Sequence, residues 1–261
     1  MRSLLAAPQV DSFEWHRVLD STNRRAAALA AAGAQEIAVV GADAQTAGRG
    51  RAGRSWNAPP GSALLLSLVL RPAVEPRSLP LLALLTGLAL AEAAEVVAPG
   101  AEVTLKWPND LLARPAGARA WRKAAGILVE ASAGTAVVGI GCNVDWGEAE
   151  VPQELAGTAI SLAEAAEGPV GRWHLLEVLL GAFGDRYVTW CAQPTAFLDA
   201  YRARCSTIGS TITANRPAAQ PLAGLAEAVR DSGALRVRTA DGRAVEVSAG
   251  DVTHVRPGPS D

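Results

Sequence analysis

At 261 residues, 49% of them hydrophobic and 19% charged, the chain has apolar material for one large domain, or a medium and a small one, around a real core. A formal net charge of −2 gives no overall basic surface for nucleic acid. Cys142, Cys191 and Cys205 are odd in number and far apart, which excludes a disulfide framework and a cysteine zinc site.

The first 15 residues hold too short an apolar run for a signal peptide. The most apolar stretch, 79–91, stops at Glu92, short of the roughly 20 residues that span a bilayer. It reads as a buried helix, and the chain as a soluble, cytoplasmic protein without a membrane partner.

In chain order, residues 12–20 (SFEWHRVLD) alternate as a strand. The polar run Asp20-Ser21-Thr22-Asn23 then opens an alanine-rich helix that Gly33 closes. Residues 37–40 form a short buried strand and 43–61 a long loop rich in glycine, arginine and proline, followed by a strand over 63–70. A helix over 78–98 is entered near Pro80 and stopped by Pro99-Gly100. Strands fit 103–106, 126–131 and 136–141, and helices fit 158–166, 172–192 and 195–204. After Cys205 come short alternating stretches, with Asp231-Ser232-Gly233 and Asp241-Gly242 as hairpin turns. The prediction is an α+β domain over 1–205 and a small β-barrel over 206–261.

The loop Gln45-Thr46-Ala47-Gly48-Arg49-Gly50-Arg51-Ala52-Gly53-Arg54-Ser55-Trp56 carries the most chemistry. Gly48, Gly50 and Gly53 match the spacing of a dinucleotide fingerprint, but that fingerprint requires a helix directly after it. Pro59-Pro60-Gly61 and a strand follow instead, so the dinucleotide reading fails. Glycines admit a ligand close to the backbone, and Arg49, Arg51 and Arg54 supply planar cationic donors for carboxylate and phosphate oxygens. Left without a ligand, the three cations should repel one another and leave the loop mobile. The plainer alternative is a solvated basic loop.

Lys106-Trp107-Pro108-Asn109-Asp110 reads as a turn after a strand, offering a cation, an amide and a carboxylate; Asp110 suits magnesium. The chain has two lysines, Lys106 and Lys123, against 22 arginines, which suggests positions where a compact ammonium is needed. Gly139-Ile140-Gly141-Cys142-Asn143-Val144 puts an asparagine at the end of a buried strand, either a satisfied turn residue or a nucleotide contact.

Taken together, Ser21-Thr22-Asn23, GRGRAGRSW, KWPNDLL (106–112), KAAGILVE (123–130) and GIGCNV (139–144) resemble, in order and spacing, the bacterial biotin–protein ligases. The resemblance covers about 125 residues and implies a mixed sheet flanked by helices, of the class II synthetase-like kind, followed by an SH3-like barrel. It implies an enzyme that uses ATP and Mg2+ to convert biotin to biotinyl-5'-AMP and transfers it to a lysine of a biotin carboxyl carrier protein. Carried over, Ser21, Thr22, Asn23 and Gln45 would bond the ureido ring, with Gly126 and Leu128 as walls. Gly48, Arg49, Gly50 and Arg51 would cover biotin and the phosphate, and Lys123 would bridge the biotin carboxylate and the α-phosphate. Lys123, Arg51 and Arg54 would be catalytic. Arg54, Trp56, Lys106, Asn109, Asn143 and Arg256 would serve ATP, and Asp110 the metal. His16, His174 and His254 need no catalytic role. With 20 residues before Ser21, a ligase without a DNA-binding repressor domain is expected. A lipoate- or octanoate-type ligase would need a longer apolar tunnel without polar groups for a ureido ring. A non-catalytic regulatory module would have no use for Lys123 and Asp110.

Overall fold

The computed structural model describes residues 10–132, 134–147, 155–216 and 219–254. It opens with β1 (Ser12–Leu19), α1 (Thr22–Ala31), β2 (Ala38–Gln45) and β3 (Ala63–Leu70). Next come α2 (Leu81–Val97) and four strands, β4 (Ala101–Lys106), β5 (Asp110–Pro115), β6 (Arg122–Ser132) and β7 (Thr135–Asn143). Helices α3 (Leu162–Ala166), α4 (Arg172–Ala192) and α5 (Leu198–Ala203) follow. The chain ends in β8 (Thr211–Asn215), β9 (Leu222–Val229), β10 (Leu235–Arg238), β11 (Ala244–Val247) and β12 (Asp251–His254).

The first seven strands make one mixed sheet in the order β1-β2-β3-β7-β6-β5-β4. Only β1 and β2 are parallel; every other neighbouring pair is antiparallel. Central β3 (ALLLSLVL) is buried along its whole length, as a strand covered on both faces must be. Leu64, Leu66, Leu68 and Leu70 join the main core with α2 and α4. Val69, Ala38, Val40 and Val137 pack beneath Ala26 of α1 on the opposite face. Helix α2 is apolar nearly all round, as fits a helix buried at all but Ala83 and Glu92 between Leu81 and Ala94. Among the described residues no helix is long and apolar enough to cross a membrane.

Two features add to the expected architecture. Residues 110–115, left unassigned after a turn, form β5, and Lys106 pairs with Asp110 at the mouth of a β4–β5 hairpin. The proline-asparagine turn signal hid how quickly the chain returns to the sheet. The second concerns the C-terminal unit, which is a five-stranded antiparallel sheet in the order β11-β10-β9-β8-β12. That is consistent with an SH3-like domain, but among the described residues the two edge strands do not pair to close a barrel. Its two anticipated turns are present, with Gly233 and Gly242 both at φ 82°. Trp107 ties the two units together: its backbone N–H donates to Thr207 Oγ1 at 3.0 Å and its indole N–H to the Gly233 carbonyl at 2.9 Å.

Candidate active site

The face of the large sheet that carries α1 also carries a cavity of about 520 Å³. Its floor is β6 and β7, where Gly126 pairs with Gly141 and Leu128 with Gly139. Side chains alternate across a strand, so Gly126 and Leu128 share one face, and Lys123, an odd number of residues away, belongs on the other. A bulge corrects this. Opposite β5, the register passes from Leu111–Ala125 to Leu112–Lys123, leaving Ala124 as the extra residue. That one insertion turns Lys123 to the cavity side, where its Nζ would lie 3.2 Å from a side chain at Gly126. The Lys123 backbone bonds to residues 158–160: its N–H donates to Thr158 and its carbonyl accepts from Ile160.

The polar wall comes from the start of α1 and the end of β2. Ser21, Thr22 and Asn23 are all buried. Gln45 Oε1 accepts from the Thr22 backbone N–H at 2.7 Å and from Thr22 Oγ1 at 3.1 Å, while the Gln45 amide NH2 has no hydrogen-bond partner among the described residues. Ser67, the one polar residue of β3, lies 2.6 Å from Asn23 Oδ1 and 2.8 Å from Thr22 Oγ1. Gly139 makes this arrangement possible, since a Cβ there would collide with the Asn23 amide.

The arginine-glycine loop forms the roof. Arg49 and Ser55 make an isolated antiparallel bridge, and the Gly50 N–H donates to the Arg54 carbonyl at 2.6 Å. Ala52 (φ 53°) and Gly53 (φ 75°) turn the tip through the left-handed region. The arginines do not simply face one another, because each has its own acceptor. Arg49 pairs with Glu130 at 2.9 Å, Arg51 donates to Asn109 Oδ1 at 2.8 Å, and Arg54 reaches Asp251 of the C-terminal sheet at 2.7 Å. Trp56 lies over Gly141 and Gly126, neither of which could carry a side chain without crowding the indole. Its indole N–H is buried without a partner among the described residues, a donor open to a ligand.

At the far end, Lys123 Nζ sits 2.6 Å from Asp110 Oδ1. Burial lowers the Lys106 ammonium below its ordinary pKa; Asp110 opposes this and Lys123 adds to it. Burial also draws the Arg51 guanidinium down, with Asp251 and Asp110 opposing. Among the described residues no three His, Cys, Asp or Glu side chains converge as a ready metal site. Asp110 alone fits a magnesium ion only if phosphate oxygens supply other ligands, a usual habit of that ion.

Of the residues expected from sequence, the cavity is lined by Ser21, Thr22, Asn23, Gln45, Arg49, Gly50, Arg51, Arg54, Trp56, Asn109, Lys123, Gly126, Leu128 and Asn143. Gly48, Lys106 and Asp110 are not among the lining residues, although Asp110 meets Lys123, and Arg256 lies outside the described residues. Sequence reasoning gave no role of their own to Gly139, Gly141 or Ser67. Glycines two apart in a buried strand, and one serine in an apolar strand, were the available signals.

Residues 15–146 match the Biotin/lipoate A/B protein ligase family, and residues 207–255 match the Biotin protein ligase C terminal domain. The fold is thus that of a protein ligase. A Mycobacterium tuberculosis protein named biotin--[acetyl-CoA-carboxylase] ligase is 38% identical, over 90% of this chain and 86% of its own. One of the same name from Paracoccus denitrificans is 34% identical, over 87% of this chain and 94% of its own. The biotin protein ligase of Aquifex aeolicus, solved in complex with biotin and ATP, superposes with a TM-score of 0.78 at 25% identity, covering 95% of this chain and 100% of that one. This chain belongs to the biotin/lipoate A/B protein ligase family.

Proposed function

We propose that the protein activates biotin with ATP and transfers it to a lysine of a biotin carboxyl carrier domain, working in the cytoplasm. The observation that carries this reading is the division of one cavity into two chemistries. Ser21, Thr22 and Gln45 offer hydrogen bonds in one part, while Lys123, Arg51 and Arg54 offer positive charge in another. In this reading the amide donor of Gln45 serves the ureido carbonyl, and Leu128 and Gly126 flank the ring.

The biotin carboxylate oxygen attacks the α-phosphorus, and the bond to pyrophosphate breaks. Two anions meet in that step, so Lys123 stands between them, where fixed positive charge is worth most. Arg54, Trp56, Lys106, Asn109 and Asn143, with Arg256, serve the nucleotide. A magnesium ion beside Asp110 would arrive with the triphosphate and offset its charge. The carrier's lysine amine then attacks the acyl carbon and AMP leaves. Arg49, Gly48, Gly50 and Arg51 keep water from the mixed anhydride in the interval. Residues 1–205 form the catalytic domain and 206–261 the C-terminal one.

The test is incubation with ATP, labelled biotin and a carrier domain, with lipoate as a parallel arm. Pyrophosphate release and carrier labelling with biotin are expected. Labelling with lipoate alone would replace biotin as the substrate, and labelling with neither would remove the proposal.

A further inference from the structure

Glu130 has no part in the reading above, yet it joins three pieces of the site. Gly126, Leu128 and Glu130 alternate along β6, so the Glu130 carboxylate projects from the cavity face at the rim. It takes Arg49 in a fork-to-fork pair: the guanidinium donates to Oε2 at 3.0 Å and lies 2.9 Å from Oε1. The same Oε2 accepts from Asn23 Nδ2 at 2.9 Å. The other end of that amide is held by Ser67 at 2.6 Å, so Asn23 is fixed at both atoms. From Ser67 the contacts continue through Thr22 to Gln45. One carboxylate thus couples the roof of the cavity to its polar wall.

We propose that Glu130 is a positioning residue, the catch that holds the arginine-glycine loop over the cavity and sets how long biotin stays bound. The assignment rests on the biotin reading above. Both partners remain partly open to water, with 43% of the Arg49 side chain and 38% of the Glu130 side chain accessible. Such a pair can open and reform, and salt screens it. A buried pair would lock the loop instead. Lys123 lies seven positions from Glu130 along β6 and is held by Asp110, so its own placement does not depend on the catch.

The test compares wild type with Glu130→Gln, Arg49→Ala and the double variant. Glutamine keeps an acceptor for Asn23 and loses the charge gripping Arg49. Glu130→Gln is expected to speed biotin dissociation about three- to fivefold. Single-turnover adenylate formation at saturating biotin should be unchanged. The double variant should release biotin no faster than Arg49→Ala alone, and raised salt should bring wild type toward Glu130→Gln. Without any substrate, trypsin should cleave after Arg49, Arg51 or Arg54 faster in Glu130→Gln. Unchanged dissociation and cleavage, or fully additive effects in the double variant, would overturn the assignment. Failure of wild type to bind biotin would count against the function proposed above, while the trypsin comparison would still judge the catch.

Discussion

Asp110 stands between the only two lysines of the chain, pairing with Lys106 across the β4–β5 hairpin and meeting Lys123 Nζ at 2.6 Å. The single carboxylate holds the ammonium of Lys123, which lines the cavity. Both lysines are spaced by strand geometry rather than by a loop, so their positions are fixed before any ligand arrives.

Lys123→Ala should fold, because Lys106 still faces Asp110 and the backbone bonds of residue 123 remain. Adenylate formation should fall by about 10²–10³-fold, the usual effect of removing one group that stabilises charge in the transition state. Lys123→Arg should recover little, since a forked guanidinium does not fit beside Asp110 as a compact ammonium does. Pyrophosphate release in a single turnover measures both. Near-normal release by Lys123→Ala would remove its assigned role.

The depressed pKa of Lys106 predicts a pH effect whose direction can be worked out. Burial disfavours the ammonium, so in the free protein Lys106 loses its proton at a pH below the ordinary lysine value of about 10.5. Neutral Lys106 attracts phosphate less, so kcat/KM for ATP should decline as pH rises through that lowered value. Lys106→Arg should shift the decline to higher pH. An identical profile in the variant would detach the nucleotide from Lys106. The same shift bears on stability: between the lowered pKa and 10.5 the unfolded chain holds more protons, so this group's contribution to stability rises with pH there.

Much of this site was legible because its chemistry lies in short segments whose residue types have few other uses. Glycine and arginine interleaved in GRGRAGR, or a lysine kept among 22 arginines, stand out in a single sequence. The strand over residues 63–70 and the helix over 172–192 were equally plain, from apolar runs with clear ends. What stayed hidden depends on tertiary pairing. The bulge at Ala124 has no sequence mark, although it decides which way Lys123 points. Strand β5 was masked by the turn before it, and the pairing of Arg49 with Glu130 spans 81 positions with no local signal.

Gly139→Ala tests the floor of the cavity. The added methyl would meet the Asn23 amide and push it off Ser67 and Glu130. Overpacking of this kind costs about 1–3 kcal/mol, and biotin affinity should fall as well because Asn23 and Thr22 lose their alignment. Chemical denaturation and biotin titration give the two values. Wild-type affinity at wild-type stability would mean that the wall tolerates displacement.

The last prediction separates two roles for Arg51. Its guanidinium donates to Asn109 Oδ1 at 2.8 Å and to the Gly250 carbonyl at 3.4 Å, bridging the catalytic sheet and the turn before β12. Arg54 makes a parallel connection to Asp251. An arginine bound in this way braces the roof, and Arg51→Ala should loosen it while leaving Lys123 and Asp110 in place. The variant should therefore still form biotinyl-5'-AMP but lose it to solvent, where the anhydride acylates exposed lysines at random. Labelling of a bystander such as albumin should rise well above wild type, while single-turnover adenylate formation changes little. The opposite pattern has a distinct meaning. If formation fell by about 10²-fold with no bystander labelling, Arg51 would be acting on the phosphoryl charge itself, and the bracing contacts to Asn109 and Gly250 would be secondary.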